Sequence, residues 1–165
     1  MSNKLSVLDL GSADGYLCLT LANKGIRATG VNLYKPSVDL ANERAKKFNV
    51  PAIFEHMDLF DVTSHADIVV MMEVLEHLPD PQKGVDHTMS LLNEGGHAFF
   101  STPRTDHLGV QQHKDEPNHG NWDDGKPSGH LRLFTEDEFK DLFKNYKIVD
   151  FHLDEERCMI AEVMK

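Results

Sequence analysis

Val7-Leu8-Asp9-Leu10-Gly11-Ser12-Ala13-Asp14-Gly15-Tyr16-Leu17 is the stretch that decides the fold. Apolar residues lead into Asp9 and read as a buried strand ending in an acidic position. A turn of small residues follows, Gly11 to Gly15, and then a helix. Small side chains let a ligand approach the backbone closely. The first turn of the helix offers free N–H donors to an acidic ligand group. The spacing of Gly11, Ala13 and Gly15 fits a nicotinamide G-x-G-x-x-G fingerprint badly.

Outward from this unit, strand and helix patterns alternate along the chain. Strands are expected at 6–10, 27–33, 52–57, 66–73 and 97–101, with helices at 15–24, 36–48 and 80–92 between them. The run from Ala66 to Glu73 is apolar on both faces, as a central parallel strand requires. Asn93-Glu94-Gly95-Gly96 reads as the turn into the fifth strand. Thr135 with Glu138 three residues on is a capping-box signature for one more helix. Two final strands, 147–153 and 158–164, form a hairpin around Asp154-Glu155-Glu156. The pattern predicts an α/β, doubly wound, Rossmann-like fold: a seven-stranded, mostly parallel sheet with an antiparallel C-terminal hairpin strand. Residues 1–165 are expected to form one domain. The polar stretch 104–129, with His107, His113, His119 and the lone Trp122, is expected to form a loop or lid over the acceptor.

Composition narrows the function classes. The 165-residue chain has a formal net charge of -10, from 17 basic and 27 acidic residues. That argues against a broad electrostatic grip on nucleic acid. The longest obvious apolar run, Ile68 to Met72, suits a strand and is far short of a membrane span. Strand one starts at Ser6, which leaves no room for a signal or transit peptide and predicts a cytoplasmic protein. Cys18 and Cys158 are expected to be two buried thiols in a reducing compartment rather than a disulfide. Self-association is left open.

Together the motifs resemble those of the class I S-adenosylmethionine (SAM) dependent methyltransferases. They are the Asp9–Gly15 turn, the strand-two end at Asn32, Asp58, the segment Glu73-Val74-Leu75-Glu76-His77, Gly95-Gly96 and Ser101-Thr102-Pro103. The resemblance covers nearly the whole chain and is strongest to the ubiquinone-biosynthesis O-methyltransferase branch with its E-x-L-E-H segment. It implies SAM as cofactor. Asp9, Gly11, Ser12, Ala13, Asp14, Gly15 and Tyr16 would face its methionine part, with Ala13 in place of a glycine. Asn32 would meet the ribose where the family has an acidic residue, and loses charge assistance there. Leu33 or Tyr34 would cover the adenine, Asp58 and Leu59 would bind its edge, and Glu73 would line the pocket. Many relatives carry a helix before strand one that covers the cofactor. Here the cofactor side is expected to be open unless another segment or subunit closes it.

The resemblance also implies the acceptor side. His77 or His130 would take the acceptor's proton. In a branch that methylates RNA 3′-terminal 2′-hydroxyls, residues matching Glu73, Glu76, His77 and His130 hold a divalent metal, Mg or Mn. Such a cation lowers the pKa of a bound hydroxyl. E-x-L-E-H also occurs in metal-free relatives, and this chain is acidic, short and without an RNA-binding module. Three functions follow: methyl transfer to oxygen of a small-molecule or sugar-like acceptor, a metal-assisted 2′-O-methyltransferase-like reaction, or a non-catalytic SAM-fold binding protein.

Overall fold

The computed structural model describes residues 5–104, 130–154 and 158–165. The elements run β1 (Ser6–Leu10), α1 (Tyr16–Asn23), β2 (Arg27–Asn32), α2 (Lys35–Phe48), β3 (Ile53–His56), β4 (Ala66–Met72), α3 (Pro81–Ser90), β5 (Leu92–Pro103), α4 (Glu136–Asp141), β6 (Lys147–Leu153) and β7 (Cys158–Met164). Single 3-10 turns sit at Leu59–Asp61 and Leu75–His77. The seven strands form one sheet in the order β3-β2-β1-β4-β5-β7-β6. Strands β3 to β5 pair in parallel, and β7 lies antiparallel between β5 and β6. This is the expected fold class. The chain order reverses beside β1, so the C-terminal ends of β1 and β4 open a crevice there.

Each face of the sheet buries its own core. One face holds Leu8, Leu10, Val69, Met71, Phe100, Phe139 and Phe143. Phe143 stacks against Phe100 and Phe139 with ring centroids 5.0 and 5.1 Å apart. The other face packs Cys18, Ala22, Val38, Ala41 and Ala45 of α1 and α2 over Ala28 and Phe54. The predicted capping box holds. Thr135 Oγ1 accepts from the Glu138 N–H, and the Thr135 N–H donates to Glu138 Oε2. Thr135 thereby fixes the start of α4, and Phe139 anchors it in the core.

One expectation is corrected. Asn93-Glu94-Gly95-Gly96 is not a turn before the fifth strand but lies within β5, which starts at Leu92. Leu92 pairs with Ala66, and His97 pairs with Ile68, so these residues bulge between two paired stretches. Asn93 Nδ2 donates to Asp67 Oδ1 at 2.8 Å and pins the bulge to β4. A side chain at Gly96 would put its Cβ 2.8 Å from the Asp67 carbonyl oxygen, so only glycine permits the approach. The third helix is also shorter than expected, Pro81–Ser90, because Asp80 caps it and β5 takes over at Leu92.

Candidate active site

The loop after β1 is built by main-chain bonds and left-handed backbone. The Gly11 and Ser12 N–H groups both donate to the Val31 carbonyl, at 2.8 and 3.0 Å, and so lash the loop to β2. Gly11, Ala13 and Gly15 take φ of 88°, 45° and 84°. Ala13 pays a small strain for this, which its size keeps tolerable. At Gly15 a Cβ would lie 2.5 Å from the Phe54 ring and 2.8 Å from Ala41 Cβ, so α1 starts in contact with β3 and α2. Ser12 is buried, and its Oγ has no partner among the described residues. A buried hydroxyl without a partner is costly unless a ligand meets it.

Two acidic residues of the loop unit differ in environment. Asp9 is 5% exposed and accepts from the Cys18 thiol at 3.8 Å. Burial pushes its carboxyl up to about 6, and the Cys18 bond opposes the shift. Asp14 instead forms an ion pair with Arg44 of α2, and Arg44 Nη1 also donates to the Asp14 carbonyl at 3.1 Å. Its carboxylate therefore holds the loop to α2. Tyr16 is 79% exposed.

At the end of β2, Asn32 Oδ1 accepts from the Tyr34 N–H at 2.9 Å, an Asx turn. His56 Nε2 bonds the Leu33 carbonyl at 2.9 Å, and Leu33 itself is exposed. Asp58 caps the Leu59–Asp61 turn by accepting from Phe60 N–H. Its carboxylate serves that turn, and Leu59 is half-buried beside it.

The acceptor side gathers residues far apart in sequence. The Leu131 and Arg132 N–H groups donate to the Glu76 carbonyl at 2.9 and 3.3 Å, and Arg132 Nη2 donates to the Pro79 carbonyl at 2.8 Å. These bonds bring His130 against His77, with ring centroids 5.1 Å apart in an edge contact. Glu76 is fully buried. Its Oε2 accepts from Thr102 Oγ1 at 3.3 Å, its Oε1 has no hydrogen-bond partner among the described residues, and His77 Nε2 stands 3.9 Å from that atom. Burial, with Glu73 adding to it, pushes the Glu76 carboxyl up to about 8. One ligand atom from each of Glu76, His77 and His130 lies within 4.8 Å of the others.

Glu73 stands apart from that trio. Its backbone is left-handed, with φ 55°, and its N–H donates to both the carbonyl and the hydroxyl of Ser101. Ser101 Oγ in turn donates to Glu73 Oε1 at 2.6 Å. Cys158 also hydrogen-bonds Glu73, and burial together with Glu73 pushes its thiol up to about 12. Cys158 is half-buried rather than buried as expected, because it opens β7 at the sheet's rim beside this carboxylate. Cys158 and Arg44 contact these residues although sequence spacing did not reveal them, and the Ser101-Thr102-Pro103 motif supplies the hydroxyls that bond Glu73 and Glu76. Within 104–129 only Arg104 is described; it bridges to Phe134, and the rest, Trp122 included, lies outside the described residues.

A left-handed loop after β1, in a sheet of this order, defines a doubly wound domain, a class whose ligands bind at the strand ends. A family model described as Methyltransferase domain matches residues 2–148, and the chain belongs to that family, the class I SAM-dependent methyltransferases. Curated relatives include the ubiquinone biosynthesis O-methyltransferases of Coxiella burnetii, 36% identical over 99 residues, and Photorhabdus laumondii, 37% identical over 103 residues. Each match covers 58% of this chain and 42% of the relative, so the chain spans less than half the length of these proteins. A SAM-dependent methyltransferase of Methanosarcina mazei superposes with TM-score 0.82 at 19% identity, over 100% of this chain and 94% of that one. Magnesium protoporphyrin IX methyltransferase of Synechocystis PCC 6803, with bound S-adenosylhomocysteine (SAH), gives 0.78 at 20% identity, over 98% and 75%. Among the described residues no helix is long and apolar enough to cross a membrane.

Proposed function

We propose that this chain binds SAM and transfers its methyl group to an oxygen of a small-molecule acceptor. The observation that carries the reading is the arrangement at the strand ends. The left-handed loop and the unpartnered Ser12 hydroxyl stand at β1, and the His77–His130 pair stands after β4. The relatives named as ubiquinone biosynthesis O-methyltransferases favour oxygen as the methylated atom. When bound, the cofactor supplies an electrophilic methyl on a sulfonium sulfur. The chain's part is positioning and proton removal. The small-residue loop gives the methionine end close approach to the backbone, the Ser12 hydroxyl bonds it, and Asn32 meets the ribose. His77 or His130 takes the acceptor's proton as the new C–O bond forms and the C–S bond breaks, leaving SAH. Residues 1–165 act as one domain in this reading.

Turnover of labelled SAM with catechol and polyphenol acceptors tests it. His77→Ala and His130→Ala are expected to lower turnover by about 100-fold at one of the two positions, with SAH affinity unchanged. Turnover unchanged in both variants overturns the proton-acceptor assignment.

One observation favours a metal-assisted form of the same reaction. Glu76, His77 and His130 present a carboxylate and two imidazoles together, and Glu76 Oε1 is buried without a hydrogen-bond partner among the described residues. Two imidazoles and one carboxylate suit Mn better than Mg, which prefers oxygen ligands, and such a cation would make an acceptor hydroxyl more acidic. Glu73, held by Ser101, is outside the set. Activity that survives thorough chelation removes the metal.

A further inference from the structure

We infer that the sheet face over β4, β5 and β7 is a docking surface for a helix of another protein, one whose apolar stripe is edged by Lys or Arg. The pairing register sets which side chains share this face, because directly paired residues point to the same side of a sheet. Val7 pairs with Ala28 and Ile68, Ile68 with His97, and His97 with Met164. Further along, Val70 pairs with Phe99 and Phe99 with Glu162, and Met72 pairs with Ser101 and Ser101 with Ile160. Ala28 lies under α1 and α2, so all these residues belong to the face those two helices cover in part. The core of α1 and α2 takes in Ala28 and Phe54, on β2 and β3. The helices α3 and α4 send Val85, Met89 and Phe139 into the opposite core. Ile68, Met72, Phe99, Ile160 and Met164 belong to neither core and are half-buried. Among the described residues they form an apolar patch that no helix of the chain claims. Its size suits one helix. Strands β4 and β7 have seven residues each, or about 23 Å, and three strands at about 4.8 Å spacing match a helix about 10 Å across and about 15 residues long.

Charge selects the helix. At the N-terminal ends of β4 and β5, away from the cofactor crevice, a cavity of about 320 Å³ opens on this face. Leu5, Ile68 and Phe99 are its apolar side, and Asp67, Glu94 and Glu162 its acidic side. Bonds from Ser6 and Asn93 hold the Asp67 carboxyl down to about 2, so it stays charged. His97, the cavity's one basic side chain among the described residues, is bonded to Glu162. An apolar pocket with an acidic end takes an aliphatic stem that carries a cation, which is a Lys or Arg side chain. A second copy of the chain would bring the same acidic groups to the same face, on a molecule of net charge -10.

Fluorescence anisotropy with two labelled helical peptides of about 15 residues tests this. One has Leu at helical spacing flanked by Lys, and the other has Glu in place of each Lys. The Lys peptide is expected to bind with a dissociation constant of about 10–100 μM, and the Glu peptide at least about 10-fold more weakly. Phe99→Ser is expected to weaken the Lys peptide about 10-fold and Glu94→Lys about 5-fold. Absent binding at millimolar Lys peptide, equal affinity for the two peptides, or affinity unchanged in both variants overturns the inference. So does a wild-type dimer that Phe99→Ser dissociates in light scattering, which gives the face to a second copy. Spermine that binds as tightly as the Lys peptide also overturns it, leaving a cation pocket without a helix site. If Phe99→Ser does not fold, Glu94→Lys, at an exposed position, decides alone.

Discussion

Replacing Glu76 by Gln is expected to make the protein more stable, and increasingly so as pH rises. Glu76 is fully buried, and burial pushes its carboxyl from the ordinary 4.5 up to about 8. The folded state therefore holds a proton up to about pH 8, whereas the unfolded chain releases it near 4.5. Folding takes up a proton in that window, so the group's contribution to stability falls as pH rises through it and is flat on either side. The span from 4.5 to about 8, at about 1.4 kcal/mol per pH unit, sums to about 5 kcal/mol of destabilisation in the wild type at pH 9. Glutamine has no proton to lose. Its carbonyl can accept from Thr102 Oγ1, as Glu76 Oε2 does, and its amide can face His77. The variant is expected to match the wild type near pH 5 and to exceed it by several kcal/mol at pH 9, or about 10 °C in Tm. Denaturant unfolding followed by circular dichroism at pH 5, 7 and 9, with chelator present, measures the difference. A difference that is the same at pH 5 and pH 9 refutes the reasoning.

Gly15→Ala puts a methyl group into the Phe54 ring and onto a backbone with φ 84°. It is expected to cost about 2–4 kcal/mol of stability and to abolish SAH binding, read by thermal melts and calorimetry. Arg44→Gln frees Asp14 and is expected to raise the SAH dissociation constant about 10-fold while lowering Tm by only a few degrees, because the pair is half-exposed. Unchanged SAH affinity would show that the loop holds its shape without Arg44. Thr135→Ala removes the cap of α4 and is expected to cost about 1 kcal/mol in urea unfolding.

The sheet and the cofactor loop were legible because they depend on local signals. Apolar runs marked the strands, Gly11 and Gly15 marked the turn, and Thr135 with Glu138 marked a helix start that the structure bears out. Asn93-Glu94-Gly95-Gly96 carries the same residues whether the chain reverses or bulges. Only its partners on β4, Asp67 and Ala66, decide between the two. The site was half legible for the same reason. His77 and His130 could be named from the family motif, but their contact depends on the bonds from Leu131 and Arg132 to the Glu76 carbonyl. Spacing placed Glu73 with Glu76 and His77. The left-handed backbone at Glu73 and the hydroxyl of Ser101 turn its carboxylate elsewhere, and neither is written in the spacing. Asn32 reads as a turn former or as a ribose ligand, and the structure shows the first, an Asx turn to the Tyr34 N–H.

The central claim is that the strand ends of this sheet hold SAM, and titrating the purified chain with SAH in a calorimeter tests it most directly. The account predicts saturable one-site binding in the micromolar range, about 8 kcal/mol of binding free energy, lost on Gly15→Ala. A folded chain that shows neither heat nor thermal stabilisation at millimolar SAH would contradict it.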